Sequence, residues 1–529
     1  MALALKIGID VGGTHTDAVI VSEKNEILTA VKTYTTPDVT AGIIKSLDLA
    51  MEKSGISAGE VKYVSIGTTH CINAVTERRR LAKVATIRIC KPAGGAIPPL
   101  YRWPSDLREA LGGGLHVAVG GGYDYDGRRI GEFSDSEVRS AVRDALSKGV
   151  EAFAVVGVFS PVIPDQELRV SEVIRELAPN VHVSVSHRIG RIGLIERENA
   201  TILNAALFKV ARTATEALEI ACIERNIDAK MFFSQNDGTL MSVEYAKQYP
   251  ILTIASGPTN SFRGASFLTG LKESIVVDIG GTTLLAGMLV NGFPRQSLAA
   301  IEIGGVRTNF RMPDLVSFGC GGGTVVKLSN GGDVSVGPES VGYELENRAL
   351  AWGGDTLTTT DVALALGYAK LDDPHVRTDA LHQLDKAVLK KALARIAGML
   401  EDAVERVKTR KEPMQMVLVG GGGIIIPPEM YQEIRGVSKV IRPPAFQYAN
   451  ALGAAIAQVG GEIEKVFSLD GVSREEAMKK AKMMAVEEAV RAGARPDSVE
   501  VVDIDEVFLA YLPSNAVRIR VKAAGDLKG

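Results

Sequence analysis

Apolar residues in this chain fall mostly into short continuous runs that stop at glycine or proline, with longer stretches of helical spacing between them. The opening runs "LKIGI" and "AVIV" predict two strands joined through Gly12-Gly13, and "EILTAVKTYTTP" predicts a third ending in a turn at Pro37. Residues 40–54 place Ile43, Ile44, Leu47 and Leu49 on one side of a helix. "VKYVSIGTTH" reads as a strand, a turn and a helix starting near His70. "AFAVVGVFS" at 152–160 reads as a buried strand before a helix from Asp165 to Leu177, and "HVSVSHRIG" as a further strand. The Ala- and Leu-rich stretch 195–225 predicts a long helix crossing between two halves of the molecule. "SGPTNSFRGASFL" places Ser256-Gly257-Pro258 in a turn before a helix, and helical spacing returns at 361–369, 384–408 and 449–459. The tail opens with an amphipathic helix at 473–492, started by a capping box of Ser473 and Glu476, and continues into two strands.

The punctuation is not ordinary. Glycine supplies 55 of 529 residues, above the usual share of about 7%, and clusters directly after predicted strands. In "DVGGTHTDAV" two glycines are followed by two threonines, where a simple hairpin turn needs only Asn-Gly or Asp-Gly. Turn amides plus hydroxyls make an anion cradle. The same grammar returns in "IVVDIGGTTLLAGMLV" at 275–290, too far along the chain for a solenoid repeat, which points to duplicated lobes. A third site, "QMVLVGGGG" at 415–423, predicts a strand, a glycine turn and a helix starting near Pro428, the layout of an α/β nucleotide site. No Walker lysine loop occurs.

Composition narrows the class. A chain of this length needs two or three domains. Hydrophobic residues at 46% and charged residues at 23% fit a globular protein, and a net charge of −3 gives no electrostatic case for nucleic acid or a membrane surface. The four cysteines, Cys71, Cys90, Cys222 and Cys320, form no metal pair or disulfide framework, which predicts a reduced, cytoplasmic protein.

The order Asp-x-Gly-Gly-Thr, Asp-x-Gly-Gly-Thr, Gly-Gly-Gly-Gly resembles the two-lobed actin-like ATPase fold of sugar kinases and heat-shock chaperones, an α/β fold. Seven phrases resemble one branch of it, the hydantoinase A/5-oxoprolinase family: "IGIDVGGTHTDAV", "GTTHCINAVTERR", "SHRIGRIGLIERENATILNAAL", "SQNDGTLMSVEYAKQYPILTIASGPTNS", "VDIGGTT", "FGCGGGT" and "VGPESVG". The expected division is an N-terminal lobe at 1–190, a C-terminal lobe at 191–465 and an appended α+β unit at 466–529. The resemblance implies ATP-dependent opening of a small cyclic amide together with a hydantoinase B-type subunit, within an oligomer and with no nucleic acid or membrane. Related carboxylases use the same module to activate a ketone. A small-molecule kinase and a nucleotide-switched binding protein are the rival readings of the fold.

On this reading ATP is held by Gly12, Gly13, Thr14 and Thr16 of the first hairpin, by Gly280, Gly281, Thr282 and Thr283 of the second, and by Gly420, Gly421, Gly422 and Gly423 at the adenosine. Asp10 and Asp278 precede the two turns and are the expected carboxylates for Mg²⁺ or Mn²⁺, a metal that takes one or two carboxylates and several waters. The alternative is that they cap the turns. Cys320 is a candidate nucleophile or a packed core residue. His70, His182 and His187 lack ligand spacing, and Arg191, Arg197 and Glu198 either line the cleft or form structural ion pairs. The family pattern usually carries Phe where His15 stands.

Overall fold

The computed structural model describes residues 5–35, 39–124, 127–297, 299–328, 333–371, 373–377, 381–509 and 515–528. Three sheets organise them. The first has nine strands in the order Glu500–Leu509, Ala516–Gly525, Gln458–Phe467, Thr239–Ser242, Lys230–Ser234, Val61–Thr68, Leu5–Val11, His15–Val21 and Ile27–Tyr34. The second runs Phe293–Pro294, Leu284–Val290, Ser274–Ile279, Met414–Val419 and Val437–Ile441, and Leu315–Phe318 also pairs with Leu284–Val290. A third, all-parallel sheet holds Leu115–Gly120, Val84–Lys91, Ala152–Gly157 and His182–Val185. Parallel strands need crossovers, and helices Asp135–Ser147 and Asp165–Leu177 supply them.

The first two sheets share one construction. Leu5–Val11 is antiparallel to the strand after its glycine turn and parallel to Val61–Thr68. Ser274–Ile279 is likewise antiparallel to its hairpin partner and parallel to Met414–Val419. The repeated Asp-x-Gly-Gly-Thr phrase therefore marks a repeated supersecondary unit, and the fold is the two-lobed actin-like one.

Helices Ser256–Thr269 and Ala449–Ile456 join the lobes, and glycine lets them touch backbone to backbone. A Cβ on Gly453 would lie 1.9 Å from the Asn260 carbonyl oxygen, and one on Gly264 would lie 2.1 Å from that of Ala449. Neither position tolerates a side chain. The stretch 195–225, expected to cross the lobes, instead forms two helices, Leu194–Ala206 and Phe208–Ile223, broken at Leu207. The first packs on the third sheet and the second on helix Val39–Ser54. The expected helix near Pro428 is only a single 3₁₀ turn, Pro428–Met430, and the turn expected at Pro37 lies outside the described residues. No helix among the described residues is long and apolar enough to cross a membrane.

The tail is part of the first lobe's sheet. Helix Arg474–Arg491 carries the expected capping box at Ser473 and buries Ala477, Ala481, Ala485 and Ala489, one per turn, against the strands Gln458–Phe467 and Ala516–Gly525. The first sheet thus gathers residues 5–68, 230–242 and 458–525, so the expected chain boundaries at 190 and 465 do not coincide with sheet boundaries. The opposite face of the tail strands carries charge. Lys522 lies 3.3 Å from Asp237, while Arg311 reaches Asp237 at 3.1 Å and Glu462 at 2.5 Å. Burial alone would raise the Asp237 pKa, but Lys522 and Arg311 overcome it and hold the carboxyl well below the usual range. Asp237→Ala would leave the buried Lys522 without its ion-pair partner and the half-buried Arg311 with Glu462 alone, at a cost of about 3–5 kcal/mol. A urea unfolding midpoint within error of the parent protein would refute that assignment.

Candidate functional site

Both glycine turns follow from their strands. In each, an antiparallel register of six residue pairs runs out at glycine, and the first glycine amide closes the turn: Gly12 N–H donates to the His15 carbonyl at 3.0 Å, and Gly280 N–H to that of Thr283 at 2.9 Å. The hairpins meet tip to tip across the cleft. A Cβ on Gly281 would lie 2.6 Å from Thr14 Oγ1 and 3.2 Å from Thr14 Cβ. Thr14 is buried by this approach, and Gly13 stays exposed.

At the base of each turn lies a buried carboxylate, each accepting a hydrogen bond from a different crossing helix. Asn450 Nδ2 donates to Asp10 Oδ2 at 3.2 Å, and Ser261 Oγ donates to Asp278 Oδ2 at 2.5 Å. Each acid also faces a glycine on or just beyond its parallel neighbour strand. Asp10 is in register with Gly67, where a Cβ would meet Asn260 Nδ2 at 2.5 Å and Asp10 Oδ1 at 2.9 Å. Gly420, at φ +84°, would bring a Cβ within 2.2 Å of Asp278 Oδ1. The lobes differ at one point. Asp17 pairs with Asp10 across the first hairpin and is held by Lys32 at 2.5 and 2.7 Å, whereas Asp278 pairs with Leu285.

These surroundings fit a divalent cation. Burial, then the charges of Asp17 and Asp278, push the Asp10 pKa up to about 7, and burial also raises that of Asp278. Beside them, Asn260 is fully buried with neither amide atom hydrogen-bonded, and Asn450 Oδ1 is likewise unpartnered. Buried polar atoms ordinarily find partners, and two carboxylates beside unpartnered amide oxygens are a donor set that suits a hydrated divalent ion. No group of three or more His, Cys, Asp or Glu able to hold a metal exists among the described residues. Mg²⁺ and Mn²⁺ at a phosphate do not need one. The Asp10 pKa lies above its unfolded value of 3.8, so its unfavourable contribution is absent at low pH, grows as pH rises towards 7 and is complete above it. Asp10→Asn should therefore stabilise the metal-free protein at pH 8, by up to about 4 kcal/mol, and leave it unchanged at pH 4. Equal melting temperatures for parent and variant at pH 8 would contradict this.

Of the other expected ligands, Thr282 and Thr283 sit half-buried on the second turn with Gly280 and Gly281. Thr16 does not belong with them. It is fully buried within strand His15–Val21, its hydroxyl 3.3 Å from that of Thr35. Gly421–Ile425 form a 3₁₀ turn beside the second hairpin: Gly422 packs its Cα face on Gly280, and Gly423 packs against the Phe446 ring. The phrase "FGCGGGT" is the hairpin's rear wall, with Gly322 and Gly323 donating to the carbonyls of Gly280 and Gly281 at 3.0 and 2.7 Å. Cys320 is buried in the second lobe's core, which pushes its thiol pKa up to about 12 and suits it to packing. Glu198 pairs with Arg88, and Arg197 donates to the Gly157 carbonyl at 2.5 Å and to Ser186 Oγ at 2.9 Å, both as structural bonds. His187 bonds Glu167, His182 stacks on Phe208 and His70 bonds Thr68, so the three histidines do not converge. His15 packs its ring on Tyr34 with centroids 4.8 Å apart.

Residues 6–178 match the hydantoinase/oxoprolinase N-terminal region and residues 197–410 match hydantoinase/oxoprolinase. Caprolactamase subunit alpha of Pseudomonas jessenii is 25% identical over 76% of this chain, and acetophenone carboxylase gamma subunit of Aromatoleum aromaticum is 25% identical over 73%. The chain spans 60% and 56% of those two relatives' own lengths. The crystal structure of the ATP-dependent caprolactamase from Pseudomonas jessenii superposes with a TM-score of 0.76 over 99% of this chain and 88% of that one, at 19% identity, and so shares its fold. With both lobes matched and the fold shared, the chain belongs to the hydantoinase/oxoprolinase family.

Proposed function

We propose that this chain binds ATP between its two hairpins and phosphorylates the carbonyl oxygen of a small cyclic amide, so that the ring can be opened with the help of a B-type subunit. The observation that carries the reading is the meeting of Gly281 and Thr14 above two buried carboxylates. Glycine turns bring backbone N–H groups against phosphate oxygens, and Thr14, Thr282 and Thr283 add hydroxyls. The turn of Gly420–Gly423 takes the adenosine side. Asp10 and Asp278 would hold Mg²⁺ or Mn²⁺ through the groups described above, and the ion, when bound, would offset charge on the phosphate oxygens. The names of the two relatives, a caprolactamase and an acetophenone carboxylase, support the reading: a lactam and a ketone both offer a carbonyl oxygen.

An unstrained amide is a poor electrophile, and phosphorylation remedies that. The carbonyl oxygen forms a bond to the γ-phosphorus as the β–γ bridge breaks, and the ring nitrogen loses its proton, giving an imidate phosphate and ADP. Water adds to the imidate carbon, and the C–N bond breaks with the nitrogen taking a proton. A second water attacks the carbon of the acyl phosphate, and the bond from that carbon to the phosphate oxygen breaks, giving carboxylate and inorganic phosphate.

The relatives are named as subunits. We therefore expect the isolated protein to bind ATP yet open lactams very slowly, with a B-type subunit restoring turnover. Mass spectrometry of a panel of hydantoins, 5-oxoproline and larger lactams, with and without that subunit, decides it. Turnover driven by sugars, or fast ring opening by the chain alone, would overturn the assignment.

A further inference from the structure

A second cavity lies on another part of the molecule, in the seam between the third sheet and helix Val243–Gln248 of the first lobe. Its volume is about 470 Å³, and none of its lining residues belongs to the hairpins or to Gly420–Gly423. Leu168, Val183 and Val185 form an apolar wall on one side. Tyr245 and Tyr249 form the other, their rings tilted against each other with centroids 4.6 Å apart.

Three formal charges stand around this apolar space: Arg175 at the end of helix Asp165–Leu177, Arg188 after strand His182–Val185, and Glu244 on the facing helix. None of the three has an ion-pair or side-chain hydrogen-bond partner among the described residues, although Arg188 is near enough to act electrostatically on both tyrosines. An exposed arginine without a partner is common. A buried hydroxyl without one is not. Ser171, 4% exposed, lines the cavity with its Oγ unsatisfied. An apolar enclosure with a few convergent polar groups is the usual anatomy of a small-molecule site.

We infer that this cavity is a binding site for an amino-acid zwitterion, its carboxylate on Arg175 and Arg188, its ammonium on Glu244 and its methylene chain between Leu168, Val183 and the tyrosines. Two cations and one anion around an apolar centre complement that charge pattern more fully than they do a singly charged ligand of the same shape. The class coincides with what opening a cyclic amide releases, an amine and a carboxylate on one carbon chain. In that respect the inference rests on the proposed function, and the site would sense or retain product.

The test is calorimetry on the full chain with 4-aminobutanoate, 5-aminopentanoate, 6-aminohexanoate and glutamate, and with hexanoate and hexylamine as singly charged controls. At least one amino acid should bind, and Arg188→Gln and Arg175→Gln should each weaken it by about tenfold, the scale of a lost charge-assisted hydrogen bond. Glu244→Gln should remove the preference for an amino acid over hexanoate. Because all three residues lie outside the nucleotide cleft, ATP affinity and lactam turnover in the variants should stay at the parent level. The inference falls if no amino acid binds, if hexanoate binds as well as 6-aminohexanoate, or if the three variants leave affinity unchanged. Binding with this variant pattern in a protein that opens no lactam would instead retain the cavity's assignment and remove the proposed function.

Discussion

Replacing Asp10 or Asp278 with Asn is expected to lower turnover by about 10²–10³-fold while changing ATP affinity by less than about tenfold. The two side chains are isosteric, and the amide keeps its bond to Asn450 or Ser261, so the hairpins should stay in place. What disappears is the negative charge at the base of each turn, where a metal would counter charge building on the transferred phosphoryl group. That loss is felt most in the transition state and little in ground-state binding. Asp10→Asn carries a second signature, since removing a buried carboxylate whose pKa lies near 7 stabilises the metal-free protein above neutral pH. A variant with higher stability, near-normal ATP affinity and almost no turnover would identify a catalytic carboxylate. Near-normal metal-dependent turnover in both variants would show that these acids only cap their turns.

Gly281→Val is expected to abolish measurable nucleotide binding with the fold intact. The first added carbon falls 2.6 Å from Thr14 Oγ1, and a valine adds two methyls where the hairpins meet. Relief requires the tips to move apart, which removes the paired amides from one phosphate chain. Overpacking of this kind costs about 1–3 kcal/mol, so ATP affinity should fall at least about tenfold to a hundredfold before direct obstruction of the phosphate is counted. Circular dichroism should match the parent, and the unfolding midpoint should fall by no more than the overpacking cost. Calorimetry showing parent-like affinity in a folded variant would separate the hairpins from the nucleotide.

The parts of the site legible in the sequence were those written as local phrases. Gly12-Gly13 and Gly280-Gly281 each sit between a strand and its antiparallel partner, and a turn built that way depends on a few neighbouring residues. The Ser473 capping box was readable for the same reason. Gly67, Asn260, Ser261 and Asn450 were not, because they reach the carboxylates through tertiary packing and lie on a neighbouring strand or crossing helix. A spatial signal did exist: "GTTH" follows a strand as "DVGGT" does, and Gly67 marks where that strand passes Asp10. Thr16 was misplaced because strand alternation turns it into the sheet, one residue past the turn. The tail reads as an appendage because a capped amphipathic helix followed by two strands looks self-contained, whereas its strands complete the first lobe's sheet through pairing with Gln458–Phe467.

On the proposed mechanism, a substrate carbonyl oxygen is phosphorylated in the cleft between the hairpins. Ring opening of a lactam labelled with ¹⁸O at its carbonyl, carried out by this chain with ATP, Mg²⁺ and a B-type subunit, tests it directly. The label should leave in inorganic phosphate, since that oxygen becomes a phosphate oxygen and its bond to the acyl carbon breaks when water supplies the carboxylate. Label retained wholly in the ring-opened carboxylate, with unlabelled phosphate, would contradict it.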